Sequence, residues 1–239
     1  MRKVCVFVEG QTEQVFVREF LMKWYEYSGI SIECLQIRGN QSMRAEYPVP
    51  APDAEIYYQI VNVGNDNRVL SFLLDRVSGL KAEGFEIVLG LRDMYCAQYR
   101  NRSKVIDSEL NNSFIAASKE EIEVRLQEDS GLVSFHYAIM EVEAWMLAMY
   151  PFLLKKFQSI TIDDINKVFD TSADVETSVY HPAVTLDRIY GLSGDKYDKH
   201  KSNANSILSY LEKDDFERLY ESGNCASFRK FADALLLKL

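Results

Sequence analysis

The chain has 239 residues, of which 47% are hydrophobic, so it can bury one large α/β core with a smaller helical addition. No window approaches eighteen consecutive apolar residues and no signal-peptide pattern opens the chain, so we expect a cytoplasmic protein with no membrane segment. The net charge of −9 argues against a broad nucleic-acid surface but allows a local one, because carboxylates gathered around a metal ion also make the formal charge negative.

The first element predicted along the chain is a strand at Lys3–Val8, which leads directly into Glu9 and Gly10. Its uninterrupted apolar run is typical of a strand buried on both faces of a parallel sheet. Ligands bind in the crevice beyond the carboxyl ends of such strands, and a carboxylate there needs a partner or a cation, so Glu9 is a candidate functional acid. A helix is predicted from about Thr12, with Glu13 in its first turn, where it either serves the site or only complements the helix dipole.

Three more strands and a helix are predicted before residue 93. The strands are Ser31–Ile37, Ile56–Val63 and Phe85–Leu91, and the helix has an apolar stripe from Val69 to Val77 with Asn65 or Asp66 as N-cap. Residues 38–55 contain three prolines, which favours an exposed irregular loop. Asp93 repeats the pattern of Glu9, an acid at the end of a buried strand.

The segment Tyr95–Lys104 is the best local candidate for nucleic-acid contact. Its cations Arg100, Arg102 and Lys104 occur without a single acid, which suits phosphate binding. An ordinary solvated loop explains the same residues equally well.

A polar helix at Ser118–Glu128 and a strand at Leu132–Met140 then lead to Glu141 and Glu143 at a strand-to-helix junction. If the strand continues, these two acids share a face; if the helix has begun, they diverge. The remaining chain predicts helices at Ile162–Val168, Pro182–Tyr190, Asn203–Asp214 and Phe228–Leu237. We therefore expect an α/β domain at 1–150 and a helical subregion at 151–239 packed on it.

Carboxylates at three strand ends specify the predicted chemistry. The cysteines and histidines are too scattered for a zinc site or a disulfide framework, so Glu9, Asp93, Glu141 and Glu143 predict a hard cation, Mg²⁺ or Mn²⁺. Such an ion suits cleavage of a phosphodiester, because it can polarise a phosphoryl oxygen and lower the pKa of a bound water. A carboxylate that does not bind the metal, Glu9 or Glu13, could then act as a general base or acid. Lys199 lies in a turn rich in Lys and His, where it could offset negative charge on the substrate or simply be solvated.

Two sets of motifs resemble a known family. Val8-Glu9-Gly10-Gln11-Thr12-Glu13, followed by Asp93 after an apolar strand, resembles the TOPRIM domain of topoisomerases, primases and overcoming-lysogenization-defect nucleases. With Glu141-Val-Glu-Ala-Trp-Met-Leu, His181-Pro and Tyr197-Asp-Lys199 added, the chain is similar to a family of uncharacterised bacterial TOPRIM-like proteins.

This resemblance implies a Rossmann-like, mainly parallel sheet and a Mg²⁺-dependent enzyme acting on DNA or RNA. Glu9 would match the first-strand acid and Asp93 the first acid of an Asp-x-Asp motif, whose second position holds Tyr95 here. Glu141 or Glu143 would then replace the missing ligand.

Two functions follow as hypotheses. The first is a metal-dependent nuclease. The second is a catalytically degenerate module that binds nucleic acid or a partner protein, such as an ATPase in a defence or mobile-element system. A phosphoacceptor signalling domain is disfavoured by Glu141 and Glu143, and a complete topoisomerase or primase by the length.

Overall fold

A computed structural model describes residues 1–39, 41–45, 48–65, 68–199 and 201–238, with only the backbone of residues 201–203. Its strands are β1 (Arg2–Val8), β2 (Ile30–Arg38), β3 (Gln41–Arg44), β4 (Ile56–Asn62), β5 (Ile87–Asp93) and β6 (Val133–Ala138). They form one sheet in the order β3-β2-β4-β1-β5-β6. Only the β2–β3 pair is antiparallel. The predicted α/β class, a mostly parallel sheet flanked by helices, is confirmed.

The helices connect the strands and then continue beyond the sheet. Those up to β6 are α1 (Gln11–Trp24), α2 (Val69–Leu74), α3 (Val77–Ala82), α4 (Ala97–Arg102) and α5 (Ser108–Leu126), and a 3₁₀ turn at Gln127–Leu132 follows. Those after β6 are α6 (Glu143–Ala148), α7 (Pro151–Lys156), α8 (Ile162–Asn166), α9 (Val175–Ser178), α10 (Pro182–Leu192), α11 (Lys201–Leu208), α12 (Lys213–Ser222) and α13 (Ala226–Leu235).

Strand β1 lies between β4 and β5 and is buried on both faces, as its apolar run predicts. Val4, Val6 and Val8 pack with α1 and the C-terminal helices, whereas Cys5 and Phe7 pack with α2 and α3 on the opposite face. From β1 the chain passes to β2 and returns as β4, and only then crosses to β5 on the other side. Ligands of open α/β sheets bind at such a reversal of direction, here beside the ends of β1 and β5.

The C-terminal helices share the main core with the sheet. Trp145 of α6 is fully buried, and its ring centroid lies 5.4 Å from that of Phe16 in α1, 5.4 Å from Phe228 and 5.8 Å from Phe231 in α13. Aromatic pairs at these separations add about 0.5–1.5 kcal/mol each beyond the burial of area. This cluster fixes α6, and therefore the acids at its start, against the first helix and the last.

Two predicted elements differ in the first half of the chain. Residues 38–55 are not wholly irregular, because Gly39, at φ +61°, reverses the chain into β3, and Val49 forms a bridge to Ile32. The single helix expected from Val69 to Val77 is divided into α2 and α3. The N-cap of α2 is Arg68, without a side-chain hydrogen bond, so the choice of Asn65 is wrong, and Asp66 lies outside the described residues.

Two helices differ in the second half. The polar helix begins at Ser108 rather than Ser118, since the Asp107 side chain accepts from the Leu110 N–H and caps it there. The helix expected at Asn203–Asp214 ends at Leu208, and α12 starts separately from a capping box between Glu212 and Asp215.

Candidate metal centre

The carboxyl ends of β1 and β5 bring Glu9 and Asp93 together. These strands are parallel neighbours with Val8 opposite Leu91, and Asp93 is the last residue of β5. The Asp93 N–H donates to Glu9 Oε2 at 3.3 Å. The expected meeting of the two acids at one edge of the sheet is therefore observed.

The junction after β6 brings Glu141 and Glu143 to the same place. Strand β6 ends at Ala138 and α6 begins at Glu143, and between them Met140 is fully buried with φ +63°. A non-glycine residue in this region is strained, and such strain clusters at functional sites. The Tyr95 N–H holds the turn by donating to the Met140 carbonyl at 2.8 Å. The strand therefore ends before both acids and the helix begins only at Glu143, and the turn between them lets both acids face one site.

Asp93, Glu141 and Glu143 form a compact set of three carboxylates. One oxygen from each lies within 4.8 Å of the others, and the three residues are 5%, 8% and 0% exposed. Below, the acid triad means these three residues. Oxygen donors alone suit a hard divalent cation, so the chemistry of the triad fits the predicted ion.

One oxygen of each triad carboxylate is held by a fixed donor. Asp93 Oδ1 accepts from the Val142 N–H at 2.9 Å, Glu141 Oε2 from the Ala183 N–H at 3.0 Å, and Glu143 Oε1 from the Tyr197 hydroxyl at 2.8 Å. These donors fix the orientation of every carboxylate without occupying its second oxygen.

The second oxygens converge on the ammonium of Lys199. Its Nζ lies 2.7 Å from Glu141 Oε1, 3.3 Å from Glu143 Oε2 and 3.7 Å from Asp93 Oδ2. Within the described residues, Glu143 Oε2 is fully buried and accepts no hydrogen bond. The triad therefore presents three oxygens around one cation position, which Lys199 fills from a half-exposed side chain.

The pKa values reflect this crowding of charge. Burial, and then the Glu13 charge, raise the pKa of Asp93 well above its usual value, and burial with Glu141 and Glu13 nearby raises the pKa of Glu143 to about 7. Burial alone would lower the pKa of Lys199, but the three triad carboxylates raise it above the ordinary value. Lys199 is therefore positively charged at neutral pH in this arrangement.

Glu13 lies in the first turn of α1 and is a buried neighbour of the triad. It is 5% exposed, and burial raises its pKa, while the N–H groups of Glu13 itself and Gly10 and the Lys199 charge oppose that rise. A Cβ on Gly10 would lie 2.9 Å from Glu13 Oε2, so the glycine leaves room for this carboxylate. Glu9 and Glu13, the two acids of the Val8–Glu13 motif, therefore both interact with the triad. Glu9 accepts the N–H of Asp93, and the charge of Glu13 raises the pKa of Asp93.

The three cations predicted to contact nucleic acid, Arg100, Arg102 and Lys104, have different surroundings. The Arg100 guanidinium lies 5.4 Å from the Tyr95 ring, and that ring lies edge-on, 5.1 Å from His181, which starts the helix holding Glu141. Arg102 packs instead over Phe114 of α5, and the Lys104 ammonium donates to the Arg100 carbonyl.

The sequence identified the charged residues of the site but not the groups that hold the triad carboxylates by hydrogen bonds. Tyr197 appears in the motif with Lys199 but carries no predicted role, although its hydroxyl holds Glu143. The backbone donors Val142 and Ala183 have no residue-type signal at all. Among the other cations near Lys199, Lys196 is exposed, and the Lys201 side chain lies outside the described part of the chain.

Comparison of the chain with models of known protein families, with curated proteins and with solved structures found no match in any of the three. The TOPRIM resemblance therefore stays a prediction. Across the described ranges, no helix combines the length and the apolar character needed to cross a membrane.

Proposed function

We propose that this protein is a cytoplasmic Mg²⁺- or Mn²⁺-dependent nuclease in which Asp93, Glu141 and Glu143 hold the ion. The observation that carries the proposal is the acid triad, whose buried oxygens lie within 4.8 Å of one another at the carboxyl edge of the sheet. Glu143 Oε2 supports it, because a buried carboxylate oxygen without a hydrogen bond needs a facing cation, a place that Lys199 takes at 3.3 Å and that a divalent ion would share or take over.

The reaction is hydrolysis of a phosphodiester. Water adds to phosphorus, the bond to the leaving sugar oxygen breaks, and that oxygen takes a proton. A bound divalent ion would polarise the phosphoryl oxygen and acidify water. Glu13 and Glu9 flank the triad and are placed to accept or return protons, and the raised pKa of Glu13 suits that task. Lys199 would offset charge that develops on the phosphate oxygens.

Nucleic acid is the substrate that the rim of the site favours. Tyr95, Tyr180 and His181 form a ring cluster at centroid separations of 4.4–5.5 Å, with Arg100 over Tyr95. Rings stack on bases, and guanidinium groups bind phosphates, so this surface suits a strand leading to the triad.

The direct test is cleavage of plasmid, single-stranded DNA and RNA with Mg²⁺ or Mn²⁺. We expect Asp93→Asn and Glu143→Gln to lose cleavage by at least about a hundredfold, since each removes a ligand charge. Glu109→Gln, an exposed acid in the first turn of α5, is the matched control and should cleave as the wild type does. Cleavage that survives both triad substitutions would overturn the proposal.

A catalytically degenerate module is the second candidate. Two observations favour it: the Lys199 ammonium already supplies a cation to the triad, and Tyr95, in place of the second Asp, packs on Tyr180 and His181. Such a module would bind nucleic acid, or a partner such as the ATPase that the resemblance implies. It predicts binding that is insensitive to Glu143→Gln, with no metal-dependent cleavage.

A further inference from the structure

A second, polar crevice adjoins the acid triad at the carboxyl edge of the sheet. It has a volume of about 320 Å³ and opens beyond the ends of β1, β2 and β4. Its lining consists of Glu9, Gly10, Gln11, Gln36, Asn62, Gly64 and Asn65. The volume lies at the lower end of the range of small-molecule sites, which suits one small group rather than an extended ligand.

The lining favours a neutral ligand over a phosphate. Four of the seven lining residues carry amide side chains, two are glycines and one is a carboxylate, with no Lys, Arg or His among those described. Glu9 would repel an anion. Amides offer a donor and an acceptor side by side, as the edges of nucleobases do.

Contacts within the protein hold parts of the crevice in place. Asn62 is 3% exposed, and its Oδ1 accepts from the Gly64 N–H at 2.9 Å. Gln36 lies directly opposite Asn62 in the parallel pairing of β2 with β4. Gly64 has φ +77°, a conformation that other residues rarely adopt, and this turn closes the crevice beside β4.

Glu9 connects the crevice to the acid triad. Glu9 is one of the residues that line the crevice, and its Oε2 accepts the N–H of Asp93 at 3.3 Å. A ligand with a phosphate at the triad would therefore extend its neighbouring neutral part toward the amides.

We propose that this crevice seats the nucleoside adjoining the phosphate at the acid triad, with Gln11 and Gln36 as specificity-determining hydrogen-bonding groups. The inference rests on the proposed function, because it takes the phosphate to lie at the triad. It adds a substrate preference: the enzyme binds a nucleotide through the sugar and base as well as through the phosphate.

The test compares uridine 5′-monophosphate, ribose 5-phosphate and inorganic phosphate, each titrated in the presence of Mg²⁺ and followed by NMR. The amide signals of Gly10 and Gly64 report on the crevice. We expect the nucleotide to bind at least about tenfold more tightly than phosphate and to shift both signals. Gln11→Ala with Gln36→Ala should remove about tenfold of that affinity, since the two side chains would no longer hydrogen-bond the nucleoside. Gln158→Ala, an exposed amide after α7, is the control.

Two failures are distinguishable. Equal binding of nucleotide and phosphate, or a double variant that binds nucleotide as the wild type does, overturns the nucleoside seat. Mn²⁺ binding, measured separately by the loss of the free-ion electron paramagnetic resonance signal, reports on the triad. It should be unchanged in the double variant. Absence of Mn²⁺ binding in the wild type would overturn the proposed function instead.

Discussion

The ammonium of Lys199 lies 3.3 Å from Glu143 Oε2, a fully buried oxygen that accepts no hydrogen bond within the described structure. The ammonium occupies the position that a divalent cation bound by the triad would need. A metal ion entering the triad must therefore share the carboxylates with the ammonium or displace it.

Lys199→Met should strengthen Mn²⁺ binding by about tenfold or more. The substitution keeps much of the length of the side chain and removes the competing charge, and tenfold corresponds to about 1.4 kcal/mol. Titration followed by electron paramagnetic resonance measures it. Lys196→Met, exposed on the same segment, is the control. Unchanged or weaker Mn²⁺ binding in Lys199→Met, with the fold intact by circular dichroism, would contradict competition at this position.

Glu143 makes both metal binding and stability depend on pH. Its pKa in the fold is raised from 4.5 to about 7, so the carboxylate is protonated below about pH 7 and Mn²⁺ affinity should fall as the pH drops through that value. For stability the sign is opposite. Because folded Glu143 holds its proton more tightly than unfolded Glu143, its protonation stabilises the fold fully below pH 4.5. This contribution to the free energy of unfolding is lost as the pH rises through 7.

The stability test compares Glu143→Gln with the wild type in urea between pH 4.5 and 8. A shift from 4.5 to about 7, at roughly 1.4 kcal/mol per unit, amounts to about 3 kcal/mol. The variant should gain on the wild type by up to that order as the pH rises through this window. A difference that stays constant with pH would show that Glu143 titrates near its ordinary value.

The sequence predicted the strands that carry the site because their signal is local. Val4–Val8 is continuous in apolar residues and is buried on both faces, and Asp93 ends the matching strand. The acids at the strand ends also predicted that Glu141 joins Asp93, but the turn that brings Glu141 there could not be predicted. It depends on Met140 adopting φ +63°, a conformation that its side chain disfavours and that the surrounding packing imposes.

Lys199 shows a second limit of sequence reasoning. A lysine in a turn is usually solvated, and only the fold brings Lys199 across 58 positions to Glu141. The Tyr197 N–H donates to Asp187 of α10 at 3.0 Å and so fixes the segment that carries the lysine. Contacts over such separations depend on how helices pack, which residue types alone do not specify.

Arg100→Ala should weaken binding of single-stranded DNA and reduce the dependence of log affinity on log salt by about one. Arg100 is exposed, and its guanidinium lies over Tyr95, whose ring contacts His181 at the start of α10, so it can meet a phosphate there. Fluorescence anisotropy at several salt concentrations measures the slope. Arg125→Ala, exposed at the end of α5, is the control. An equal loss of slope in both variants would indicate diffuse attraction rather than a contact at Arg100.

Gly10→Ala should displace Glu13 and lower the free energy of unfolding by about 1 kcal/mol, at the lower end of overpacking costs because the contacted atom ends a flexible side chain. The added Cβ would lie 2.9 Å from Glu13 Oε2, while φ of −145° at Gly10 suits any residue, so the cost comes from the contact and not from the backbone. Gly79→Ala, in α3 with open space around its Cβ, is the control and should be neutral or stabilising. In a double-mutant cycle Glu13→Ala should remove most of the Gly10→Ala penalty. Additive effects would show that the glycine does not make room for Glu13, and would leave its place in the motif without a steric reason.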